Sequence, residues 1–220
     1  TLAGFQPNTE LPSLYGTIKD YNTNARLDSV RITWYDDRDE LGLQTLYTDT
    51  LGNYSIPYIH YGVYTFHLSL NGYANQDISY ELEILLPDTG IVKEANKIDD
   101  IIIDDYRREY NIFMYKLNAN VKGKVYKKID DENIADANNI VVTAKLGDIN
   151  CNFGFTGITP DVYNTITDSI GFYTLNNLPA TPCVKIAIFP HSDGNNSFTY
   201  NFVDVMLYSG ASVSSNDITV

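Results

Sequence analysis

The chain has 220 residues, 44% of them hydrophobic, and a formal net charge of −13. That much apolar material excludes disorder as the expected state and suits one large domain or two of about 100 residues. The acidic balance lacks the clustered Lys and Arg that phosphate neutralisation requires, so no nucleic acid partner is expected, and an anionic membrane surface is disfavoured.

Tyr is abundant, with 18 copies, whereas Met (2) and Trp (1) are scarce. A Tyr-, Asn-, Asp- and Thr-rich chain without long Ala/Leu/Glu/Lys runs favours strands over helices. No apolar run approaches the roughly 18 residues of a membrane span. Ile84-Leu85-Leu86 and Ile101-Ile102-Ile103 are short and flanked by acids. Residue 1 is Thr and no leader pattern precedes it, which says nothing about targeting.

The first predicted strand is Leu14-Tyr15-Gly16-Thr17-Ile18-Lys19, with a Gly between alternating β-formers. A polar loop leads to Leu27-Asp28-Ser29-Val30-Arg31-Ile32-Thr33-Trp34. Val30, Ile32 and Trp34 share one face and Arg31 and Thr33 the other, the period of a half-buried strand. Thr48-Asp49-Thr50-Leu51-Gly52-Asn53-Tyr54 then reads as a tight hairpin. The Asp carboxylate accepts backbone N–H bonds, Gly supplies positive φ, and the aromatic returns the chain to the core. Tyr64, Phe66, Leu68 and Leu70 alternate with Thr65, His67 and Ser69 in the next strand, before Asn71-Gly72-Tyr73. A strand near Tyr110 to Leu117 closes the unit, placing a boundary near Asn118 to Asn120 and domains at 1–118 and 119–220.

The same order then recurs. Val121-Lys122-Gly123-Lys124-Val125-Tyr126 opens the second unit, and Ile134-Ala135-Asp136-Ala137 precedes Ile140 to Ala144. Thr167-Asp168-Ser169-Ile170-Gly171-Phe172-Tyr173 repeats the hairpin, followed by Leu178-Pro179-Ala180 and Val184 to Pro190. The segment 214–220 fits a closing edge strand. Asp49 and Asp168 read as turn-formers, because one isolated carboxylate per repeat lacks a catalytic partner.

Gly16 to Gly123 is an offset of 107 and Asp49 to Asp168 one of 119, so the second unit carries about 12 extra residues before its hairpin. The loop-like stretch 147–160, with three Gly and a closing Pro, is the expected insertion. A long loop on a rigid sandwich is a natural place for binding, and an inert elongated hairpin is the alternative. Cys151 and Cys183 both lie in this unit; a disulfide between them would contribute roughly 3–4 kcal/mol by the chain-entropy model. Two free buried thiols are the other reading, and two Cys are too few for a zinc site.

The combined pattern resembles the carboxypeptidase regulatory-like, or transthyretin-like, domain. Gly16, Leu27, Val30, Ile32, Thr48, Asp49, Gly52, Tyr54, Gly62, Tyr64, Gly72 and Tyr73 carry it in the first unit. Gly123, Ile134, Ala137, Thr167, Asp168, Gly171 and Tyr173 carry it in the second, where Ala180-Thr181-Pro182-Cys183 replaces the Gly-x-Tyr step. The resemblance implies an all-β fold of two tandem seven-stranded Greek-key (transthyretin-like/Ig-like) β-sandwiches. It also implies a secreted, periplasmic or outer-surface location, with a lipid anchor upstream as in bacterial surface lipoproteins. Spacer, adhesion or accessory binding roles are usual for such domains, and fold alone names no ligand.

No catalytic constellation emerges from the residues. His60, His67 and His191 form no metal-spaced pair, and no nucleophile elbow or phosphate-cradling loop is present. The chain ends Asp217-Ile218-Thr219-Val220, unlike the Tyr-Arg-Gly-Ser signature of hydroxyisourate hydrolases on this fold. The two-Tyr, two-His iron site of intradiol dioxygenases lacks its His pair. The acidic runs 36–40 and 130–132 fall in predicted loops and read as solvated, with calcium binding through oxygen ligands the alternative, though neither follows the calcium-loop pattern. The runs 99–100 and 104–105 lie in a segment, Ile98 to Asp105, read as protecting a sheet edge with charge. The expectation is therefore a non-enzyme without cofactor or metal, with a structural or adhesive role toward a protein or glycan at the cell surface. Carbohydrate binding is the alternative. For it, Trp34 faces inward, leaving Tyr35, Tyr58, Tyr61, Phe153 and Phe155 as ligand-binding candidates.

Overall fold

In a computed structural model, the period-two patterns of the sequence become strands whose alternate residues are buried. The structure describes residues 13–35, 42–57, 59, 62–82, 107–130, 132, 134–147, 150–152, 157–188, 191–192, 197–198, 201–214 and 217–220. Among them every regular element is a strand. The chain divides into two compact units. The first comprises Thr1–Lys19, Arg26–Leu68 and Ile78–Phe113; the second comprises Asp20–Ala25, Ser69–Asp77 and Met114–Val220.

The strands are, in order, β1 (Ser13–Asp20), β2 (Arg31–Tyr35), β3 (Leu43–Tyr47), β4 (Asn53–Ile56), β5 (Gly62–Ser69), β6 (Asn75–Leu82), β7 (Arg107–Glu109) and β8 (Ile112–Met114). They continue with β9 (Leu117–Lys128), β10 (Ile134–Asp136), β11 (Val141–Leu146), β12 (Ile158–Thr159), β13 (Val162–Ile166) and β14 (Phe172–Pro179). The last are β15 (Val184–Ile188), β16 (His191–Ser192), β17 (Ser197–Phe198), β18 (Asn201–Val205), β19 (Ser212–Val213) and β20 (Ile218–Thr219).

In the first unit β4 pairs antiparallel with β1, and β7 and β8 pair with β1 as two pieces of one interrupted strand. The other sheet runs β6-β5-β2-β3. Leu14, Ile18, Ile32, Trp34, Tyr54, Phe66 and Leu68 fill the space between, all under a tenth exposed. Trp34 packs on Phe66 with ring centroids 6.1 Å apart.

The second unit repeats this order. β14 pairs antiparallel with β9, while β19 and β20 pair parallel with β9 as an interrupted last strand. The facing sheet runs β13-β11-β15-β18. Val121, Val125, Val142, Leu146, Leu178, Ile186 and Ile188 are wholly or almost wholly buried in its core. Among the described residues, seven strand positions thus occur twice in one topology, the last split in each case, and β10, the β16–β17 hairpin and β12 are additions to the second unit.

Three details differ from the sequence reading. Asn118 to Asn120, expected as a boundary, lie inside β9, which runs unbroken from Leu117 to Lys128. Hydrogen bonds match Leu27 with Ala137 and Val30 with Ile140, rather than Leu27 with Ile134. The offset is therefore 107 at Ile18 and Val125, 110 at Leu27 and Ala137, and 119 at Thr48 and Thr167. Three of the 12 extra residues enter between β9 and β11, and nine between β11 and β13. Finally, the 147–160 insertion is not all loop. Its β12 pairs with Asn75 and Gln76 and buries Ile158, and Asp77 N–H donates to the Gly157 carbonyl at 2.6 Å.

Candidate functional site

Each repeat is locked by one set of polar contacts around its Thr-Asp-x-x-Gly turn. Asp49 Oδ1 accepts the N–H groups of Leu51 (2.9 Å) and Asn53 (2.8 Å). Asp168 Oδ1 accepts those of Ile170 (3.0 Å) and Phe172 (2.9 Å) in the same way. The Asn53 backbone amide beside Asp49 holds that carboxyl below the ordinary carboxylate range. Gly52 (φ 71°) and Gly171 (φ 79°) sit in the left-handed region, as the turn requires. A Cβ on Gly171 would lie 2.7 Å from the Val125 carbonyl oxygen.

The Thr before each Asp does more than start the turn. The Thr48 hydroxyl donates to the Leu27 carbonyl (2.7 Å) and accepts the Val30 N–H (2.9 Å). The Thr167 hydroxyl donates to Ala137 (2.8 Å) and accepts from Ile140 (2.9 Å). Both Thr are buried, so each hydroxyl satisfies a backbone donor and acceptor that water cannot reach. The Oδ1 of each Asp and the hydroxyl of each Thr are thus engaged in holding the turn to the sheet.

The two units diverge on the outer face of the sheet that carries the split strand. In the second unit an open groove of about 550 Å³ lies against β9 and β14, near the ends of β19 and β20. Lys122, Lys124 and Tyr126 of β9, Phe172 and Thr174 of β14, and Ser214 and Asp217 of the break line it. Alternation along β9 and β14 turns these side chains outward while Val121, Val125 and Leu175 point into the core. Asp217 Oδ1 accepts the Lys124 backbone N–H at 2.9 Å, tying the residue before β20 to β9. The Lys124 ammonium lies 2.7 Å from Asp136 Oδ1 and 5.1 Å from the centroids of both Tyr126 and Phe172. The hydrogen bond to Asp136 holds the Lys124 pKa above its ordinary value. Burial, with the Asp217 charge adding to it, pushes the Tyr173 phenol up, so Tyr173 stays neutral.

The first unit has the same backbone and different side chains. Asn111 takes the place of Asp217: its Oδ1 accepts the Thr17 N–H (2.9 Å) and hydroxyl (2.8 Å). Register aligns Thr17 and Asn53 with Lys124 and Phe172, and Tyr15 and Ser55 with Lys122 and Thr174. Arg26, equivalent to Asp136, bonds the Leu51 carbonyl (3.2 Å) and Asn53 (3.3 Å). Tyr54 donates to the Tyr110 carbonyl at 2.6 Å, directly over Gly16.

Of the residues singled out from sequence, Tyr35 is 60% exposed on β2, opposite the equally exposed Leu43. Tyr58, Tyr61, Phe153 and Phe155 lie outside the described residues. Cys151 and Cys183 form a disulfide with Cα atoms 5.2 Å apart, tying the insertion to the start of β15. No group of three His, Cys, Asp or Glu able to hold a metal occurs among the described residues. Sequence reasoning missed Lys124, Phe172 and Asp217. The signal available was Asn111-Ile112 against Asp217-Ile218, a side-chain acceptor just before each closing strand.

No family model matches the chain, and no curated protein matches it. Solved structures similar to it include a streptococcal ancillary pilin (15% identity, TM-score 0.44), covering 96% of this chain and 63% of that one. Another is the Bacillus anthracis TIE protein (16%, TM-score 0.32), covering 95% and 33% respectively. A third is GBS52, the minor pilin of Streptococcus agalactiae (9%, TM-score 0.45), with 94% of each chain covered. The chain thus spans less than two thirds of the first two proteins.

Proposed function

We propose that this chain is a non-catalytic module of a secreted or cell-surface protein, with a structural or adhesive role. The observation that carries the reading is the frame built twice: one strand order and one Thr-Asp-Gly lock in both units, with the Thr hydroxyl of each lock bonded internally. Tandem repetition of a rigid sandwich suits a spacer that presents a surface at a distance. The Cys151–Cys183 disulfide fits an oxidising compartment. Both repeats are taken as carboxypeptidase regulatory-like domains, with the 1–118 and 119–220 division moved to the start of β9, because the strand order and the Thr-Asp-x-x-Gly turn occur in both. A lipid anchor upstream belongs to the same proposal. So does glycan binding as the more specific role.

The test is where the protein resides and whether cells need it to attach. Antibody labelling and protease shaving of intact cells should reach the chain, and its deletion should lower attachment without altering growth. A chain found only in the cytosol with both thiols reduced would overturn the reading.

A further inference from the structure

We infer that the groove beside the β19–β20 break is a binding site for a neutral glycan. The inference deepens the surface-module reading and rests on it only for where the ligand is met.

The first argument is the internal control the repeat provides. The first unit builds the same sheet with Thr17 and Asn53 where the second has Lys124 and Phe172. The frame therefore does not require a phenyl ring at this place. Phe172 is nevertheless 49% exposed there. A single exposed apolar residue means little by itself. This one shares a concavity with Tyr126, two Lys, Thr174, Ser214 and Asp217.

The second argument is the chemistry of that lining. The ammonium groups of Lys122 and Lys124 only donate, the Asp217 carboxylate only accepts, and the Thr174 and Ser214 hydroxyls do both. Lys124 is paired with Asp136, and the Asp217 carboxylate offsets Lys122, so the lining carries no net charge to draw an ionic ligand. A neutral ligand whose polar groups each donate and accept suits such a lining. A pyranose is such a ligand, and its C–H face suits the exposed surface of Phe172. Its hydroxyls replace water at the groove's polar groups while the ring covers the phenyl. Lys124 is fixed by Asp136 and by its two aromatic neighbours, so part of the site is ordered before binding.

The test uses the full 220-residue chain, labelled with ¹⁵N and titrated separately with maltohexaose, cellohexaose, xylohexaose, mannohexaose and a hexagalacturonate. Saturable amide shifts confined to Lys122–Tyr126, Phe172–Thr174, Ser214 and Asp217 are expected with at least one neutral oligosaccharide at millimolar concentration. Affinity should be insensitive to salt. Phe172→Asn, which installs the first unit's residue, should weaken binding about tenfold or more while the rest of the spectrum is unchanged. Thr174→Ala gives a second, milder variant with the same direction. Absence of shifts with all four neutral sugars would overturn the inference. So would shifts elsewhere, an undiminished affinity in Phe172→Asn, or binding of the uronate alone with loss at high salt. None of these results would move the protein off the cell surface, so the module reading stands or falls separately.

Discussion

Replacing Thr167 by Val removes the one hydroxyl that joins Ala137, Ile140 and the second turn while keeping the side chain's shape. The Ala137 carbonyl and the Ile140 N–H then lose their partner at a site where Thr167 is 2% exposed. A stranded buried donor or acceptor costs about 1–3 kcal/mol, and the added methyl returns about 0.8 kcal/mol of apolar burial. With both groups stranded, the net loss should be about 1–5 kcal/mol. Thr167→Ser keeps both bonds and loses one methyl, for about 1 kcal/mol. Urea unfolding of the intact chain reads both, with the variants compared at unchanged m-value. Thr48→Val should behave alike, since the Thr48 hydroxyl makes the equivalent bonds at 2.7 and 2.9 Å. If Thr167→Val is no more destabilising than Thr167→Ser, the hydroxyl lock is not what holds the turn to the sheet.

Gly171→Ala should destabilise the second unit by about 2 kcal/mol or more, since it combines positive φ with a backbone oxygen at 2.7 Å; thermal melting by near-UV circular dichroism reads it. Cys151→Ser combined with Cys183→Ser should cost about 3–4 kcal/mol in urea, given a sequence separation of 32, and the unreduced chain should show no thiol reactive with a maleimide in denaturant. Acid should weaken the second unit through Asp20. Burial raises the Asp20 pKa, but N–H bonds from Asn22 and Thr23 and the Tyr73 hydroxyl at 2.9 Å outweigh it and leave the pKa lowered. The stability this gives is present above the unfolded value of 3.8 and is lost as pH falls through the lower folded value, and Asp20→Asn should flatten that part of the curve. Burial and Asp20 push the Tyr73 phenol up to about 12, so a second loss should begin above pH ~10 as the unfolded phenol ionises.

The strands were legible in the sequence wherever burial imposes a period of two. Val30, Ile32 and Trp34, and Tyr64, Phe66 and Leu68, all point inward as their spacing dictates. The Asp-x-x-Gly turns were legible because only certain residues supply an accepting carboxylate and a positive φ. The Thr hydroxyl lock was not, because a buried hydroxyl and a solvated one look alike in a string of letters. The register between Leu27 and Ala137 slipped for a related reason. Ile134 offers a better hydrophobic match than Ala137, yet Ile134 is exposed and Ala137 takes the inward place. The boundary at Asn118 to Asn120 followed from a closing strand expected to reach Leu117, whereas Leu117 opens β9, and β14 and β19 hold that stretch in the sheet. The groove needed the break in the last strand to be seen, since it brings Asp217 beside Lys124 from 93 residues away.

Residue-resolved native-state hydrogen exchange on the intact chain tests most directly whether one frame is built twice. The amides of Ile18, Leu27 and Val30 should be strongly protected in the first unit, and those of Val125, Ala137 and Ile140 in the second, because each donates to an equivalent buried acceptor. Strong protection at one set with free exchange at the other would contradict it.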